Sequence, residues 1–417
     1  MTDFYDALEA RSTDERESAL MAALPLQIAQ AKARAPAFGE RLAAVDAEAV
    51  RTRATLAALP VTRKSDLHEL QKKSRAAGGD PFGGFSAVRF GPAMPRVFAS
   101  PGPIYEPEGT AKDYWRMARA FFAAGFRRGD LVHNAFSYHF TPAGAMMESS
   151  AIALGCSVFA AGTGQTEQQL QAIADLRPAG YAGTPSFLKI IVEKAAESKL
   201  ALPSLKKAMF GGEAYPPSLR DWFVERGIDG FQNYGTADLG LIAYETSARE
   251  GLVQDEGVIV EIVRPGTGDP VPDGEVGEVV VTTLNVDYPL IRFGTGDLSA
   301  VLAGSCPTGR TNTRIKGWMG RADQTTKVRG MFVHPAQVAE VVRRFPEIAR
   351  ARLVVEGEMG SDRMCLKVET ESNIGGLAEK IGAALRELTK LRGDVELLAP
   401  GNLPNDGKVI EDSRSYS

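Results

Sequence analysis

The sequence predicts an α/β fold in two or three domains, and three observations support this prediction. The chain has 417 residues, which is too long for one ordinary hydrophobic core. Short apolar runs alternate with helical patterns over residues 97–235, which is typical of βαβ units in a mostly parallel sheet covered by helices. Residues 255–302 are rich in β patterns, and the remaining ~90 residues read as a compact α+β unit.

The predicted elements follow one another in a regular order. The first ~90 residues have helical apolar spacing, above all in ERESALMAALPLQIAQAKARA. Beyond residue 130 we predict four strands, in LVHNAF, CSVFAA, AGYAG and KKAMFGG. Between them we predict helices in PAGAMMESSAIALG, TEQQLQAIADL and PSFLKIIVEKAAES.

The β-rich part is punctuated by glycine and proline, which predicts hairpins or a small barrel. Its strands are predicted in GVIVEIV, GEVGEVVVTTL, YPLIRF and GDLSAVL. The last unit has the order helix, strand, strand, helix, strand. We therefore expect a large N-terminal domain over residues 1–322, with a β-rich subdomain at about 250–320, and a small C-terminal domain over residues 323–417.

Composition and charge exclude several classes of function. The chain is 44% hydrophobic and 24% charged, with a net charge of −4, so it lacks the basic footprint of a nucleic-acid-binding protein. No apolar run has the length of a membrane span, and the polar first twenty residues argue against an ordinary secretory signal. Three scattered cysteines and four histidines give no zinc-site spacing. We expect a cytoplasmic protein with no membrane or nucleic-acid partner.

Four short segments stand out as candidates for chemistry. Two of them, FGGEAYP (210–216) and NYGTADLG (233–240), each follow a predicted strand, where open α/β sheets bind their ligands. The other two are YPLIRFGTGDLS (288–299) and PGNLPNDGKVIEDS (400–413). Each segment alone is a weak signal, because glycine-rich turns after strands are common. Their order and spacing together are a much stronger one.

With these four segments in this order, the chain resembles the phenylacetate-CoA ligase family of adenylate-forming enzymes from LPVTRKSDL to DGKVIEDS. The resemblance implies a large N-terminal domain followed by a small mobile one. It also implies that a carboxylic acid is joined to AMP with the use of ATP and Mg²⁺, and that the acyl group is then transferred to coenzyme A. By analogy we expect a homodimer.

The resemblance assigns the adenine side of a nucleotide site to residues 211–214 and 233–236. It places Gly211, Gly212, Glu213 and Ala214 beside the base, where glycine allows the backbone to approach a flat ring. The alternative for that segment is a plain strand-to-helix turn. In the second segment the resemblance assigns nucleotide contacts to four residues, with the ring of the second stacked on or near adenine: Asn233, Tyr234, Gly235 and Thr236.

The resemblance makes Asp238 the acidic residue that helps to hold Mg²⁺, a role that suits a carboxylate. The hydroxyl that usually precedes this acid is replaced by Ala237, and whether Thr236 substitutes for it stays open. Asp297 matches the ribose-binding aspartate, and its alternative is an ordinary hairpin turn.

Three further residues are assigned near the predicted domain boundary and the C-terminus. Arg321 and Asp323 match the family's arginine and its hinge aspartate, where rotation of the small domain lets one site serve two half-reactions. Lys408 matches the lysine that stabilises the acyl-adenylate step. Without the resemblance, a lysine so close to the C-terminus reads as solvated.

The segment ASPGPIYEP (99–107) aligns with the family's phosphate loop, which normally ends in Gly-Lys-Pro. Ser100 and Gly102 agree with the pattern and are predicted nucleotide contacts. Glu106 takes the place of the lysine, and we expect its charge to repel the β- and γ-phosphates. Prolines inside the segment also remove backbone donors from a phosphate cradle.

Three interpretations of this altered segment remain open. The enzyme still adenylates, with Mg²⁺ and basic residues such as Arg96 or Lys112 carrying the phosphate charge. The site is a relic that binds an acid, an acyl-CoA or AMP without turnover. The segment is remodelled for other acyl chemistry, such as use of a preformed adenylate. We favour adenylation, because the family's other residues remain: Tyr234, Asp238, Asp297 and Lys408.

The acyl pocket is expected in residues 134–147 and 161–169, where family members contact the acid. Aromatic walls for a flat ring or a short chain come from four residues: Phe136, Tyr138, His139 and Phe140. The alternative is that these rings only pack a strand end. We expect a packing or hydrogen-bonding role for His139, because adenylation of an ionised acid needs no base.

Overall fold

The structure is a computed structural model that describes residues 4–319, 321–322, 326–333, 335–357, 362–371, 375–404 and 409–414. The chain divides into two compact units, Met1–Gly320 and Arg321–Ser417. Both units combine helices with sheets, so the predicted α/β class is confirmed. Among the described residues, no helix has the length and apolar character needed to cross a bilayer.

Helices cover much of the first unit. They are α1 Thr13–Arg34, α2 Pro36–Arg41, α3 Arg53–Ala57, α4 Lys64–Ala76, α5 Ala118–Ala123, α6 Ala143–Leu154, α7 Thr166–Leu176, α8 Pro185–Glu197 and α9 Pro217–Val224. Local sequence signals determine where several of these helices begin or end. Helix α1 begins at a capping box between Ser12 and Glu15, and α6 ends at Gly155, whose φ of +95° suits glycine.

The strands of the first unit form two large sheets and a separate hairpin. They are β1 Thr62–Arg63, β2 Arg96–Ser100, β3 Ile104–Glu108, β4 Leu131–Asn134, β5 Ser157–Ala160, β6 Gly180–Gly183, β7 Lys207–Phe210, β8 Asp229–Thr236, β9 Gly240–Glu245, β10 Leu252–Gln254, β11 Val258–Val263, β12 Gly277–Thr283, β13 Phe293–Ser299, β14 Val301–Leu302 and β15 Arg314–Ile315. All four strands predicted between residues 131 and 213 are present.

The nine-stranded sheet has the order β14-β15-β10-β9-β8-β7-β6-β4-β5. Its half from β5 to β8 is parallel, and helices α6 to α9 connect those strands, as the alternating pattern predicted. The other half, from β8 to β14, is antiparallel. The carboxyl ends of β7 and β8 therefore lie side by side at one edge of the parallel half.

The β-rich part contributes an open four-stranded sheet of order β1-β13-β12-β11, so the hairpin alternative holds and a closed barrel does not. The strand predicted in YPLIRF is wrong, since β13 begins only at Phe293. Arg292 has a left-handed φ of +45°. Its buried guanidinium donates to Glu261 Oε2 at 3.0 Å and to the Gly268 carbonyl at 2.7 Å, which holds the chain out of strand geometry.

Two apolar clusters stabilise the first unit. One packs Leu24 and Ile28 of α1 with Ile259 and Val281 of the four-stranded sheet, and all four are almost completely buried. The other packs the α5 and α6 residues onto the nine-stranded sheet. Full burial of one such side chain contributes about 1.5–3 kcal/mol. Both sheets are therefore well-supported platforms for the segments that follow their strands.

The second unit is a sheet covered by two helices. Its elements are β16 Thr326–Val328, β17 Met331–Val333, α10 Pro335–Arg344, β18 Arg350–Glu356, β19 Arg363–Glu369, α11 Leu377–Thr389, β20 Asp394–Leu398 and β21 Ile410–Asp412. The sheet order is β20-β19-β18-β21, and β16 pairs with β17 in a hairpin. The predicted sequence of helix, strand, strand, helix, strand is confirmed in α10, β18, β19, α11 and β20.

Candidate active site

The carboxyl ends of β7 and β8 bring the two glycine-containing segments together. Asn233 donates through Nδ2 to the Phe210 carbonyl at 2.8 Å. A Cβ at Gly211 would stand 3.1 Å from the Asn233 side chain, so glycine is favoured there by close approach. Residues 211–216 form the connection between β7 and α9, with Gly212 at a φ of +76°. The segment is thus a strand-to-helix turn, and it follows the carboxyl end of β7, the end at which open α/β sheets generally bind ligands.

The side chain of Glu213 is exposed and accepts a hydrogen bond from the Ser186 hydroxyl at 2.6 Å. Ala214 follows it in the same connection. Gly235 lies at a bulge in the β8–β9 pairing, and a Cβ there would stand 2.5 Å from the Gly240 carbonyl oxygen. The predicted adenine-side residues therefore lie in two segments, at the neighbouring carboxyl ends of β7 and β8.

Asp297 lies on β13 and joins the two large sheets through hydrogen bonds to its carboxylate. Tyr234 donates to Oδ2 at 2.9 Å, and Trp318 donates through Nε1 to Oδ1 at 3.1 Å. Tyr234 also contacts the Thr295 hydroxyl at 3.2 Å. The structure therefore brings together Tyr234 and Asp297, which the sequence placed 63 residues apart. Trp318 was missed, and no local pattern marks it.

Asp238 lies in the turn between β8 and β9 and is almost completely buried. Its Oδ2 pairs with Nζ of Lys64 at 2.8 Å. Its Oδ1 is buried and has no hydrogen-bond partner among the residues that the structure describes. The hydroxyl of Thr236 accepts from the Leu239 backbone at 3.1 Å, so it stabilises this turn. Lys64 was not among the predicted site residues.

The segment aligned with the phosphate loop forms a β-hairpin in place of the predicted loop. Strands β2 and β3 pair antiparallel with Ser100 opposite Ile104, and Gly102 lies at the tip with a φ of +151°. The Ser100 hydroxyl donates to Glu106 Oε1 at 2.5 Å. Both side chains are buried, Glu106 completely. The hydroxyl of Ser100 therefore stabilises the buried side chain of Glu106 inside the hairpin.

One face of helix α4 positions this hairpin. Gln71 is fully buried and exchanges two hydrogen bonds with the Tyr105 backbone, at 2.8 and 2.9 Å. His68 Nε2 contacts the Gly102 carbonyl at 2.8 Å. Lys64, His68 and Gln71 are spaced i, i+4, i+7, so they lie on the same side of the helix. That spacing is the sequence signal that could have identified Lys64.

Burial is the largest cause that raises the pKa of Glu106, to about 8, and the negative charge of Asp238 raises it further. The charge of Lys64 and the hydrogen bond from Ser100 act in the opposite direction. Glu106 is therefore mostly protonated at neutral pH. This corrects the expectation that its charge repels phosphates, because a neutral carboxyl carries no such charge.

Glu106, Asp238 and Tyr288 form a cluster of buried polar side chains. One oxygen of each has no hydrogen-bond partner among the described residues: Glu106 Oε2, Asp238 Oδ1 and Tyr288 Oη. An unpartnered buried oxygen costs free energy until a ligand, ion or water satisfies it. Burial is the largest cause that raises the pKa of Tyr288, and the charges of Asp238 and Glu106 raise it further, so the three groups share one local environment. The cluster is suited to hold a hydrogen-bonding or cationic ligand.

The predicted acyl-pocket residues lie between β4 and α6. Phe136 is buried in the core cluster, whereas Tyr138 is half-buried and His139 is exposed. Phe140 is 81% exposed and has a left-handed φ of +59°. Its carbonyl accepts a hydrogen bond from the Ala99 backbone at 2.7 Å. This bond ties the aromatic segment directly to hairpin β2–β3.

A buried polar pair that the sequence did not indicate supports the second pocket segment. His133 Nε2 contacts Gln169 Oε1 at 2.8 Å, and Gln169 donates to the carbonyls of Gly162 and Gly164. Burial lowers the pKa of His133, so the imidazole is neutral at physiological pH. This pair fixes the path of residues 161–169.

The remaining predicted residues belong to the second unit. Arg321 is half-buried and is the first residue of that unit. Asp323 and Lys408 lie outside the described residues.

Comparisons with known proteins agree on one family. Residues 110–286 match the family model of the AMP-binding enzymes, and residues 330–413 match that of the AMP-binding enzyme C-terminal domain. Phenylacetate-coenzyme A ligase of Aromatoleum evansii is 31% identical over 403 residues, which are 92% of this chain and 88% of that protein. The enzyme of the same name from Thermus thermophilus is 30% identical over 87% of each chain.

Solved structures show the same fold. 2-Hydroxyisobutyryl-CoA ligase, in complex with 2-HIB-AMP and CoA, has a TM-score of 0.82 at 24% identity, covering 98% of this chain and 92% of that one. An amide bond synthetase from Marinactinospora thermotolerans has a TM-score of 0.58 at 21% identity, covering 76% of this chain and 68% of that one.

Proposed function

The chain belongs to the phenylacetate-CoA ligase family of AMP-binding enzymes, and from this premise we propose which residues carry its two-step reaction. In the first step a carboxylic acid reacts with ATP to give an acyl-adenylate and pyrophosphate. In the second step the acyl group passes to coenzyme A. The observation that carries the residue assignment is the hydrogen bond from Tyr234 to Asp297, with Asp238 four residues further along the same hairpin.

The nucleotide is held by the edge of the nine-stranded sheet in this proposal. Residues 211–214 and Asn233 face the adenine, with the Tyr234 ring beside it. Asp297 accepts the ribose hydroxyls. Tyr234 and Trp318 already donate to its two oxygens, but each carboxylate oxygen has a second lone pair. The two ring donors fix the carboxylate in the orientation that two adjacent hydroxyls need.

Lys64 replaces the missing phosphate-loop lysine in this proposal. Its ammonium group lies beside Asp238, and 41% of its side chain is exposed, so it can reach a ligand at this edge. Glu106, when protonated, adds a hydrogen-bond donor in place of a repelling charge. Arg96, which the sequence offered as a phosphate contact, forms an ion pair with Glu108. Lys64 pairs with Asp238, the proposed magnesium residue, and is therefore the cation that lies beside the proposed phosphate site.

The surroundings of Asp238 fit a magnesium ion bound to phosphate. One of its carboxylate oxygens is paired with Lys64, and the buried Oδ1 is unpartnered among the described residues. Mg²⁺ is usually held by one or two carboxylates together with phosphate oxygens and waters. When bound, it neutralises part of the phosphate charge. Asp238 would hold the ion through Oδ1 while Lys64 keeps the carboxylate in place.

The acid is aromatic or short-chain in this proposal, since the segment after β4 offers four aromatic side chains: Phe136, Tyr138, His139 and Phe140. Family resemblance supports Lys408 as the residue that stabilises the acyl-adenylate step and Asp323 as the hinge of a mobile second unit. The same resemblance supports a contact of Arg321 with the nucleotide. Ser100 and Gly102 act through the shape of hairpin β2–β3. Cytoplasmic location and a homodimer complete the proposal.

The direct test is acid-dependent exchange of pyrophosphate into ATP by the purified chain, with a panel of aryl and short-chain acids. Exchange with at least one acid supports the proposal, and formation of the matching thioester on addition of coenzyme A extends it. Calorimetric titration with ATP and Mg²⁺, and with AMP, accompanies the assay. Binding of AMP without any binding or exchange of ATP would contradict it and identify a homologue that binds AMP or acyl-CoA without adenylation.

A further inference from the structure

The aromatic segment assigned to the acid contains a polar group that aromatic packing does not require. Asn134 ends β4 and is completely buried. Its Nδ2 donates to the Tyr138 hydroxyl and to the Gly144 carbonyl, both at 2.8 Å. An amide nitrogen carries two hydrogens, so both are used. The Tyr138 hydroxyl therefore accepts from Asn134 and has its own hydrogen left to donate to another group.

Glu148 of helix α6 receives this hydrogen. The ring of Tyr138 packs on Gly144, where a Cβ would stand 2.9 Å from two ring carbons. Glu148 lies four residues after Gly144 and hence on the same face of the helix. Burial is the largest cause that raises the pKa of Tyr138, and a hydrogen bond with Glu148 is the next. Asn134, Tyr138 and Glu148 thus form a chain of hydrogen bonds that ends at a carboxylate.

The carboxylate of Glu148 has acceptor capacity that this chain of hydrogen bonds does not use. It forms no ion pair with any residue that the structure describes. Arg96, whose charge also acts on the Tyr138 hydroxyl, is paired with Glu108 at 2.6 Å. A carboxylate has about four acceptor positions, and Tyr138 uses one of them. Glu148 can therefore accept from a donor that a ligand brings.

A ligand can reach this pair of side chains, because Tyr138 and Glu148 are both only half-buried. They lie beyond the carboxyl end of β4, which β6 and β7 separate from β8. Neighbouring strands are about 4.8 Å apart. In the proposed function the nucleotide lies where β7 and β8 end. The pair therefore lies on the side of the acid that is farther from its reacting carboxyl group.

We propose that the acid bears a hydrogen-bond donor, a hydroxyl or amino group, and that this group donates to Glu148. The inference rests on the proposed function, because it names the class of acid that the same site takes. An unsubstituted acid would cover Glu148 with apolar surface and remove water from its charge without a new partner, which is unfavourable. A donor on the acid replaces that water with a hydrogen bond to a charged group. Glu148 thus favours the substituted acid and rejects the unsubstituted one.

The first measurement compares substrates on the wild-type full chain. Pyrophosphate exchange is measured with phenylacetic, benzoic and butyric acids, each unsubstituted and with a hydroxyl, amino or fluoro substituent. Fluorine is close to a hydroxyl in size but cannot donate, so it is the matched control. We expect kcat/KM of the best donor-bearing acid to exceed that of its fluoro and unsubstituted counterparts about tenfold or more. Equal values, or a preference for the acids without a donor, would overturn the inference.

The second measurement repeats the comparison with E148M, which keeps a side chain of similar length without an acceptor. We expect E148M to lose the preference for donor-bearing acids and to retain or gain activity with the unsubstituted ones. E193Q, at an exposed position of α8, serves as the control and is expected to match wild type. If Glu148 only positions the Tyr138 ring, E148M lowers kcat/KM for every acid by the same factor. That uniform loss would overturn the inference.

Calorimetric titration of the same acids without ATP separates this inference from the proposed function. Absence of exchange with every acid would remove the proposed function. Tighter binding of donor-bearing acids by wild type, with no such preference in E148M, would still support the role of Glu148. Lack of that preference in wild type, or no binding of any donor-bearing acid, would overturn the inference. The wild-type comparison stands by itself if E148M does not fold.

Discussion

The candidate site has two ends, one around Asp297 and one around hairpin β2–β3, and they differ in the surroundings of their acidic side chains. At the Asp297 end, Tyr234 and Trp318 donate to the carboxylate that we propose as the ribose acceptor. At the hairpin end, a glutamate stands where the family has a lysine, and burial neutralises it. A lysine from α4 then lies beside Asp238. In the proposed site, the phosphate-side region thus differs from the family in its loop residues and takes its cation from another element, helix α4.

The strongest test of the Asp297 end is D297N. Asparagine has the same shape, but its amide nitrogen faces a donor and it offers ribose a weaker acceptor. We expect AMP affinity to fall about 100-fold, since hydrogen bonds to a charged group are worth roughly 1.5–3 kcal/mol each. Calorimetry measures the affinity. D273N, at an exposed position, is the control, and an unchanged AMP affinity in D297N would remove Asp297 from the ribose site.

The hairpin end is tested by E106Q and pH. The folded-state pKa of Glu106 is raised above that of the unfolded chain, so the folded state holds its proton more tightly. Stability of the wild type therefore falls as pH rises from about 4.5 to about 8, by up to ~1.4 kcal/mol per unit, and glutamine removes this dependence. Urea unfolding followed by tryptophan fluorescence reports the first unit, because Trp115, Trp222 and Trp318 all lie in it.

The matched control for this measurement is E275Q, at an exposed position of the same unit. We expect its pH profile to follow the wild type. Parallel profiles of E106Q and wild type across this range would show that Glu106 is ionised in the folded chain, and the contrast between the two ends would then be wrong.

The variant K64M tests whether Lys64 of α4 replaces the lysine that is missing from the phosphate-loop segment. We expect ATP affinity to fall about tenfold while AMP affinity stays the same, because the lost charge faces the outer phosphates. K72M lies on the exposed side of the same helix and serves as the control. Equal losses of ATP and AMP would place Lys64 in a structural role beside Asp238 instead.

The smallest expected effect belongs to W318F, which removes the donor to Asp297 Oδ1 and keeps an aromatic ring. We expect AMP affinity to fall roughly fivefold, as for the loss of one hydrogen bond of about 1 kcal/mol. Tighter AMP binding in W318F would show that the indole competes with the ribose. Trp318 would then hinder the binding of ribose at Asp297 and not stabilise it.

Sequence alone predicted most of the fold, because strands β4 to β7 and helices α6 to α8 carry strong periodic patterns. It failed at residues 288–292, where the ion pair of Arg292 with Glu261 overrides the β-like composition. It also treated the segment around Ser100 as a loop. Its prolines concealed a two-stranded hairpin that pairs with no other strand among the described residues and so tolerates missing backbone donors.

The site was predictable only where neighbouring residues carry the signal. Tyr234 and Asp238 lie in one recognisable segment, and Asp297 in another. Lys64 lies 174 residues before Asp238, and Trp318 lies 21 residues after Asp297. Both contacts depend on the tertiary fold. The helical spacing of Lys64 with His68 and Gln71 marks a shared helix face but not the contact with Asp238, and no local pattern marks Trp318. The raised pKa of Glu106 depends in the same way on burial that only the folded hairpin creates.

The backbone bond between Ala99 and Phe140 has a consequence for the history of this chain. It attaches the wall proposed to choose the acid to the hairpin proposed to receive the phosphates. A substitution that shifts one segment therefore displaces the other, and selection acts on both at once. A change of acid is therefore expected to require matching changes in hairpin β2–β3, the segment in which residues 103–106 depart from the family pattern.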